Sequence, residues 1–199
     1  MDHSQNGESA VIAKMFLTVP STSEFVVEFG AGDGYSLSNA RYFIEEGWTS
    51  VLWDTEEWVT AENVNDLFAA YLVPDDVDLV SIDVDGNDYW IWKALTWRPK
   101  IVCIEYNALW DHGERKVIKY NPRNVWDHSY GYSASLDAMV DLGKEKGYFL
   151  AAELASTNLI FVDEDYWGAV PALDPETVEL GWQFWVERGR ACTKEFVEV

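Results

Sequence analysis

Positive charge is what this sequence has least of. Fourteen Lys and Arg stand against 35 Asp and Glu in 199 residues, a formal net charge of −21. Without a basic patch, phosphate backbones are repelled, so a nucleic-acid partner is not expected. The balance suits a neutral or cationic substrate, or a protein kept soluble in high salt. Cysteine is nearly absent too. Cys103 and Cys192 make no disulfide framework and no thiolate metal site, and Cys103 sits in the apolar run Ile-Val-Cys-Ile as a core residue. A reducing, cytoplasmic setting fits. No apolar run approaches the roughly 18–20 residues of a membrane helix, so no membrane partner is expected. Met1 to Glu8 is polar and carries no basic region of a secretory leader. There is no Gly-Lys-Ser/Thr, which removes the P-loop. The spacing Gly30-x-Gly32-x-Gly34 is not the Gly-x-Gly-x-x-Gly of dinucleotide binders, which disfavours a nicotinamide oxidoreductase.

What is present is apolar and aromatic. Hydrophobic residues make up 48%, with 11 Trp, 10 Tyr and 9 Phe, enough to bury the core of one domain spanning 1–199. Residues 1–24 carry an N-terminal helix, Ser4 to Leu17, with Val11, Ile12, Met15 and Phe16 on one face. Strands are expected at Phe25–Phe29, Ser50–Asp54, Val77–Asp83 and Ile101–Glu105. A closing antiparallel pair follows at Tyr148–Glu153 and Asn158–Val162. Between them the pattern predicts helices over Tyr35–Glu46, from Thr60 to about Tyr71, and over Tyr89–Leu95 and Ser133–Lys146. Asn107 to Gly131 reads as a long polar and aromatic loop. Strand alternating with helix makes this an α/β three-layer sandwich. The tail, 163–199, is a helical extension. Asp174-Pro175-Glu176 caps a helix running to about Arg188, whose Val178, Trp182 and Trp185 face either docks on the domain's own flank or forms a homodimer seam.

In an open α/β sheet, ligands bind outside the carboxyl ends of the strands. Those ends here carry Glu28 with Gly30, Gly32 and Gly34, then Asp54, then Asp83, Asp85 and Asp88, then Glu105. Glycines let backbone approach a ligand closely, and a helix opening behind them would offer unpaired N–H groups. Carboxylates gathered on one edge have perturbed proton affinities suited to acid–base work or metal binding. Asp54, 20 residues after Gly34, stands where an acid accepts hydrogen bonds from ribose hydroxyls. His112 and His128 lie in the long loop, where either is a candidate general base or simply a surface residue. Tyr106, Trp110, Tyr120 and Trp126 either shape an acceptor pocket or pack as a lid.

Glu-Phe-Gly-Ala-Gly-Asp-Gly over 28–34, followed by a strand-end acid, resembles motif I of class I S-adenosylmethionine-dependent methyltransferases. Ser4-Gln-Asn-Gly-Glu8, the segment Ser81-Ile-Asp-Val-Asp-Gly-Asn-Asp-Tyr-Trp90, and Ile104-Glu-Tyr-Asn107 resemble the FkbM-type branch. So do Gly131-Tyr-Ser-Ala-Ser-Leu136 and Lys146-Gly-Tyr148. The resemblance implies a Rossmann-like fold, mostly parallel with an antiparallel terminal strand. It implies methyl transfer from S-adenosyl-L-methionine to a hydroxyl of a small molecule or sugar. Glu28, Gly30, Ala31, Gly32 and Gly34 would hold the methionine end, Asp54 the ribose and Glu62 the adenine. Asp83, Asp85 and His112 would be catalytic, with Asp83 beside the sulfonium. Asp83, Asp85 and Glu105 would offer hard oxygens to Mg²⁺, or form a hydrogen-bonding cluster without metal. One departure stands out. Only 22 residues separate Asp54 from Val77, too few for the helix, third strand and second helix the family places there, so the sheet is expected to lack or shorten that strand. The alternative reading is a degenerate member that binds a nucleoside or a protein partner without turnover.

Overall fold

The computed structural model describes residues 2–53, 58–181 and 194–199. Among the described residues there are five α-helices: α1 (Glu8–Met15), α2 (Arg41–Glu45), α3 (Val64–Ala70), α4 (Asp88–Ala94) and α5 (Leu136–Glu145). Eight strands accompany them: β1 (Phe25–Phe29), β2 (Thr49–Trp53), β3 (Leu79–Ile82), β4 (Ile101–Glu105), β5 (Lys116–Ile118), β6 (Tyr148–Leu154), β7 (Asn158–Asp163) and β8 (Phe196–Glu198). Six strands form one sheet in the order β2-β1-β3-β4-β7-β6, parallel except for β7, which runs against both neighbours. This is a Rossmann-like α/β/α sandwich. β1 has β2 as its outer neighbour, and among the described residues no strand lies beyond β2, in keeping with the shortness of the stretch between Asp54 and Val77. The antiparallel strand is last in sequence within this sheet but sits inside it, between β4 and β6.

The central strands are buried on both faces, as parallel strands covered by helices must be. Alternate residues serve two cores. Val27, Phe29, Val80, Ile82, Val102 and Ile104 pack toward α3, α4 and α5. Val26, Leu79, Ile101 and Cys103 pack toward α1 and α2. At the opposite edge from the strands' carboxyl ends, buried Lys100 meets Asp78 at 2.6 Å. Asp78 also accepts the backbone N–H groups of Thr22, Ser23 and Glu24, fixing the entry to β1.

Three sequence expectations are corrected. The helix expected over Tyr35–Glu46 begins only at Arg41. Asp33 accepts the N–H groups of Tyr35 and Ser36, and Glu28 takes Ser38 and Asn39. Short polar side chains thus satisfy donors that a helix would otherwise use, and Leu37 is turned to φ +61°. The loop 107–131 contains β5, whose antiparallel partner is β8 at the chain's far end. The tail is not the helix expected from Asp174. A single 3₁₀ turn, Pro175–Thr177, is followed by extended Val178. Positions 182–188 of the expected helix, Trp182 and Trp185 with them, lie outside the described residues, as does Asp54.

Candidate active site

The glycine turn is built by a close crossing of backbones. Gly30 and Ala31 both donate to the carbonyl of Trp53 at the end of β2. Gly30 has φ +75°, and a Cβ there would lie 1.6 Å from the carbonyl oxygen of Asp83. No residue with a side chain fits. The turn therefore pins the ends of β1, β2 and β3 together, and its two N–H groups are spent on protein, not held open at a helix start.

Above that edge is a cavity of about 1100 Å³. Gly30 and Gly32 form one side, Asp83, Asp85 and Glu105 its acidic floor, and Trp53, Trp58, Trp126 and Tyr132 much of its wall. Gln5 and Asn6, from the segment before α1, close another side. That segment is held by Glu8, fully buried, which accepts from the Asn6 backbone and side chain and from Asn158. Such a volume accommodates a nucleoside-sized molecule with a second ligand beside it.

The loop from Asp83 to Asp88 is shaped by its last residue. Buried Asp88 accepts the N–H groups of Val84 at 2.8 Å and Gly86 at 2.9 Å, which turns Asp85 to φ +54° and aims it at the cavity. Asn87 reaches across to the carbonyl of Asn121, and Asn124 to that of Asp85. The covering loop is thus fastened onto the carboxylate loop. One oxygen from each of Asp83, Asp85 and Glu105 lies within 4.8 Å of the others.

Crowded acids hold their protons more tightly. Burial, then the neighbouring Asp88, Asp85 and Glu28 charges, raise Asp83 well above the ordinary carboxylate range. Burial and the charge of Asp83 do the same to Glu105. Asp85 is raised by the protein around it, with His128 opposing. Asp88 is pushed up to about 7, burial outweighing its backbone hydrogen bonds. Glu105 is 8% exposed, and its Oε2 has no hydrogen-bond partner. A buried acceptor left unmade is costly unless something in the cavity completes it.

The remaining candidates divide. Gly30 and Gly32 line the cavity. Ala31 and Gly34 sit behind it, with a Cβ at Gly34 3.0 Å from Leu52. Glu28 lies behind the turn, its oxygens taken by Ser38 and Asn39 at 2.6 Å each, and burial raises it against those bonds. It organises the 35–40 segment instead of facing a ligand. Glu62 bonds the Tyr120 hydroxyl, away from the cavity wall. His112 meets the carbonyl of Val178 at 3.1 Å and does not reach the cavity. His128 meets Trp126 edge-on. Of the four aromatics expected around an acceptor, Trp126 is a wall residue. Tyr106 is buried on Glu153, Tyr120 sits on Glu62, and Trp110 packs on Phe196. Tyr132 and Trp58 are wall residues that sequence reasoning passed over. Tyr132 is the tyrosine of the Gly131-Tyr-Ser motif, which was the available signal.

The donor set of Asp83, Asp85 and Glu105 is right in kind for a hard divalent ion. An octahedral Mg²⁺, with ligands at about 2.1 Å, brings opposite oxygens to about 4.2 Å. The three here lie within 4.8 Å of one another, close to that span.

No protein-family model matches the sequence, and no curated protein matches it. Among solved structures, the chain is similar to a SAM-dependent methyltransferase from Aquifex aeolicus, at 12% identity and a TM-score of 0.40, over 78% of this chain and 88% of that one. It is also similar to an O-methyltransferase family protein from Burkholderia thailandensis, at 9% identity and a TM-score of 0.37, over 78% of this chain and 57% of that one.

Proposed function

We propose that this chain is an S-adenosylmethionine-dependent methyltransferase of FkbM type, acting on a hydroxyl of a small molecule or sugar. The observation that carries the reading is the cavity itself. It opens at the carboxyl ends of β1, β3 and β4, with a side-chain-free glycine turn on one side and three carboxylates on its floor. That is where open α/β sheets hold ligands. A sulfonium is cationic and is attracted to such a floor, whereas a nicotinamide cofactor would bring two phosphates to it.

The chemistry asked of the protein is modest. The acceptor oxygen attacks the methyl carbon in line with the carbon–sulfur bond, the electron pair of that bond stays on sulfur, and the hydroxyl proton goes to a carboxylate. Positioning supplies most of the acceleration. Asp83 is the residue for the proton, because burial and its neighbours raise its affinity for one. Gly30 and Gly32 let the methionine end approach the backbone, exposed Trp58 adds aromatic surface for a flat group, and Gln5 and Asn6 close the side. If Mg²⁺ is used, Asp83, Asp85 and Glu105 would hold it, and it would make the hydroxyl more acidic; no step above depends on it.

Calorimetric titration tests the reading. Heat with S-adenosylhomocysteine and none with NADH is expected, and silence with S-adenosylhomocysteine overturns it. Asp83→Asn is expected to bind S-adenosylhomocysteine while transfer is lost. Full transfer in that variant removes the assigned role.

A further inference from the structure

We infer that the molecule methylated at this site carries a protonated amine as well as its hydroxyl, and that Asp83, Asp85 and Glu105 hold that ammonium group. The inference rests on the methyl-transfer reading only in calling this molecule the acceptor.

Three observations carry it. The first is an unanswered charge. Three carboxylates meet on the floor, and none of the described residues lining the cavity is Lys, Arg or His. Lys194, outside the lining, is committed to Asn124 and the carbonyl of Val125, at 2.6 and 2.5 Å, and His128, also outside it, acts on Asp85 alone of the three in lowering its proton affinity. The second is Glu105, 8% exposed, which lines the same cavity and whose buried Oε2 has no partner. A buried carboxylate is held charged only by a cation or by donors, and the protein supplies Oε2 with neither. The third is spacing. The N–H groups of one ammonium diverge at tetrahedral angles, so acceptors at about 2.8 Å lie about 4.6 Å apart. The carboxylate oxygens fall within 4.8 Å of one another. That spacing admits one ammonium bridging all three.

The walls agree. Trp126 and Tyr132 line the same cavity as the acids and add aromatic surface of the kind cations favour. Leu37, Trp58 and Val125, all exposed, put apolar surface on the cavity's lining, suiting a carbon body attached to the charged group. Phosphorylated and carboxylated acceptors are excluded by the same floor. An ammonium held in this way keeps its proton and has no lone pair to offer the methyl carbon, so the hydroxyl remains the nucleophile.

The test uses three phenols of similar size: tyramine, 4-ethylphenol and 4-hydroxyphenylacetate. Binding is read by quenching of the cavity tryptophans in the full chain without cofactor. Tyramine is expected to bind at least tenfold tighter than 4-ethylphenol, and the carboxylate weakest. Asp85→Asn, at an exposed position, and Glu105→Gln, isosteric and checked for folding by circular dichroism, are each expected to shrink that ratio. Mg²⁺ or Ca²⁺ is expected to compete with tyramine. The inference is overturned if 4-ethylphenol binds as well as tyramine, if tyramine gives no response at millimolar concentration, or if either metal ion strengthens binding. Selective amine binding without transfer from S-adenosylmethionine to any amino alcohol would instead overturn the methyl-transfer reading and leave the ammonium site standing.

Discussion

Replacing Gly30 by alanine puts the construction of the site to a direct measurement. The added Cβ would lie 1.6 Å from the carbonyl oxygen of Asp83 and 2.8 Å from its carbon, where real contacts do not fall below 3.0 Å. Because those atoms are backbone, the ends of β1 and β3 must part by roughly 1.4 Å, an overpacking that costs about 1–3 kcal/mol. The hydrogen bond from Asp83 N–H to the carbonyl of Phe29, already 3.3 Å long, is lost with them, at about 1 kcal/mol. The left-handed φ of +75° adds about 1–2 kcal/mol for any residue with a Cβ. Together these give about 3–6 kcal/mol and, for a chain of this size, a fall in Tm on the order of 10 °C. Gly32 is the internal control. It shares a positive φ of +53°, but a Cβ there meets nothing within 4 Å, so Gly32→Ala should cost only the strain, about 1–2 kcal/mol. Gly34→Ala meets only the Leu52 side chain at 3.0 Å, which can give way, and should fall near Gly32→Ala. Urea denaturation of the three variants measures the order. If Gly30→Ala and Gly32→Ala are equally stable, the crossing of β1 and β3 is not what demands glycine at 30.

Two further outcomes follow from other parts of the molecule. Without ligand, Tm should fall between pH 5 and pH 8. Glu28, Asp83, Asp85 and Glu105 are raised and Asp88 is pushed to about 7. The fold therefore binds protons that the unfolded chain releases near pH 4, and stability present at low pH is lost as pH climbs toward 7; a Tm that rises over this interval refutes the assignment. At the opposite edge, Asp78→Ala leaves the buried Lys100 ammonium without its carboxylate at 2.6 Å, and should cost about 3–5 kcal/mol in urea denaturation. Asp78→Ala combined with Lys100→Met should recover part of that loss; no recovery would show that Asp78 acts through its backbone bonds to 22–24 alone.

The sequence by itself determined the sheet and its functional edge. Runs of four or five apolar residues, each closed by an acid or a glycine, mark β1, β3 and β4 and the residues beyond them, because a strand buried on both faces tolerates little else. The absence of a strand beyond β2 among the described residues was legible as simple length after Asp54. The trio Asp83, Asp85 and Glu105 was legible as well, since parallel neighbouring strands bring their carboxyl ends together. What the tertiary structure decided is which polar groups are spent on the protein and which are left for a ligand. Glu28 looked like a ligand-facing acid, and only the fold of residues 35–40 shows its oxygens occupied. The same hydrogen bonds delay α2, since side-chain acceptors compete with helix formation through contacts that propensity does not record. β5 has no strand to pair with until β8 returns about 80 residues later, so nothing local announces it. His112 was placed near the site by its loop, yet the loop's path carries it to Val178. Glu105 needed both levels. Its position was readable in the sequence, but its unpartnered oxygen exists only once everything else around it has been paired.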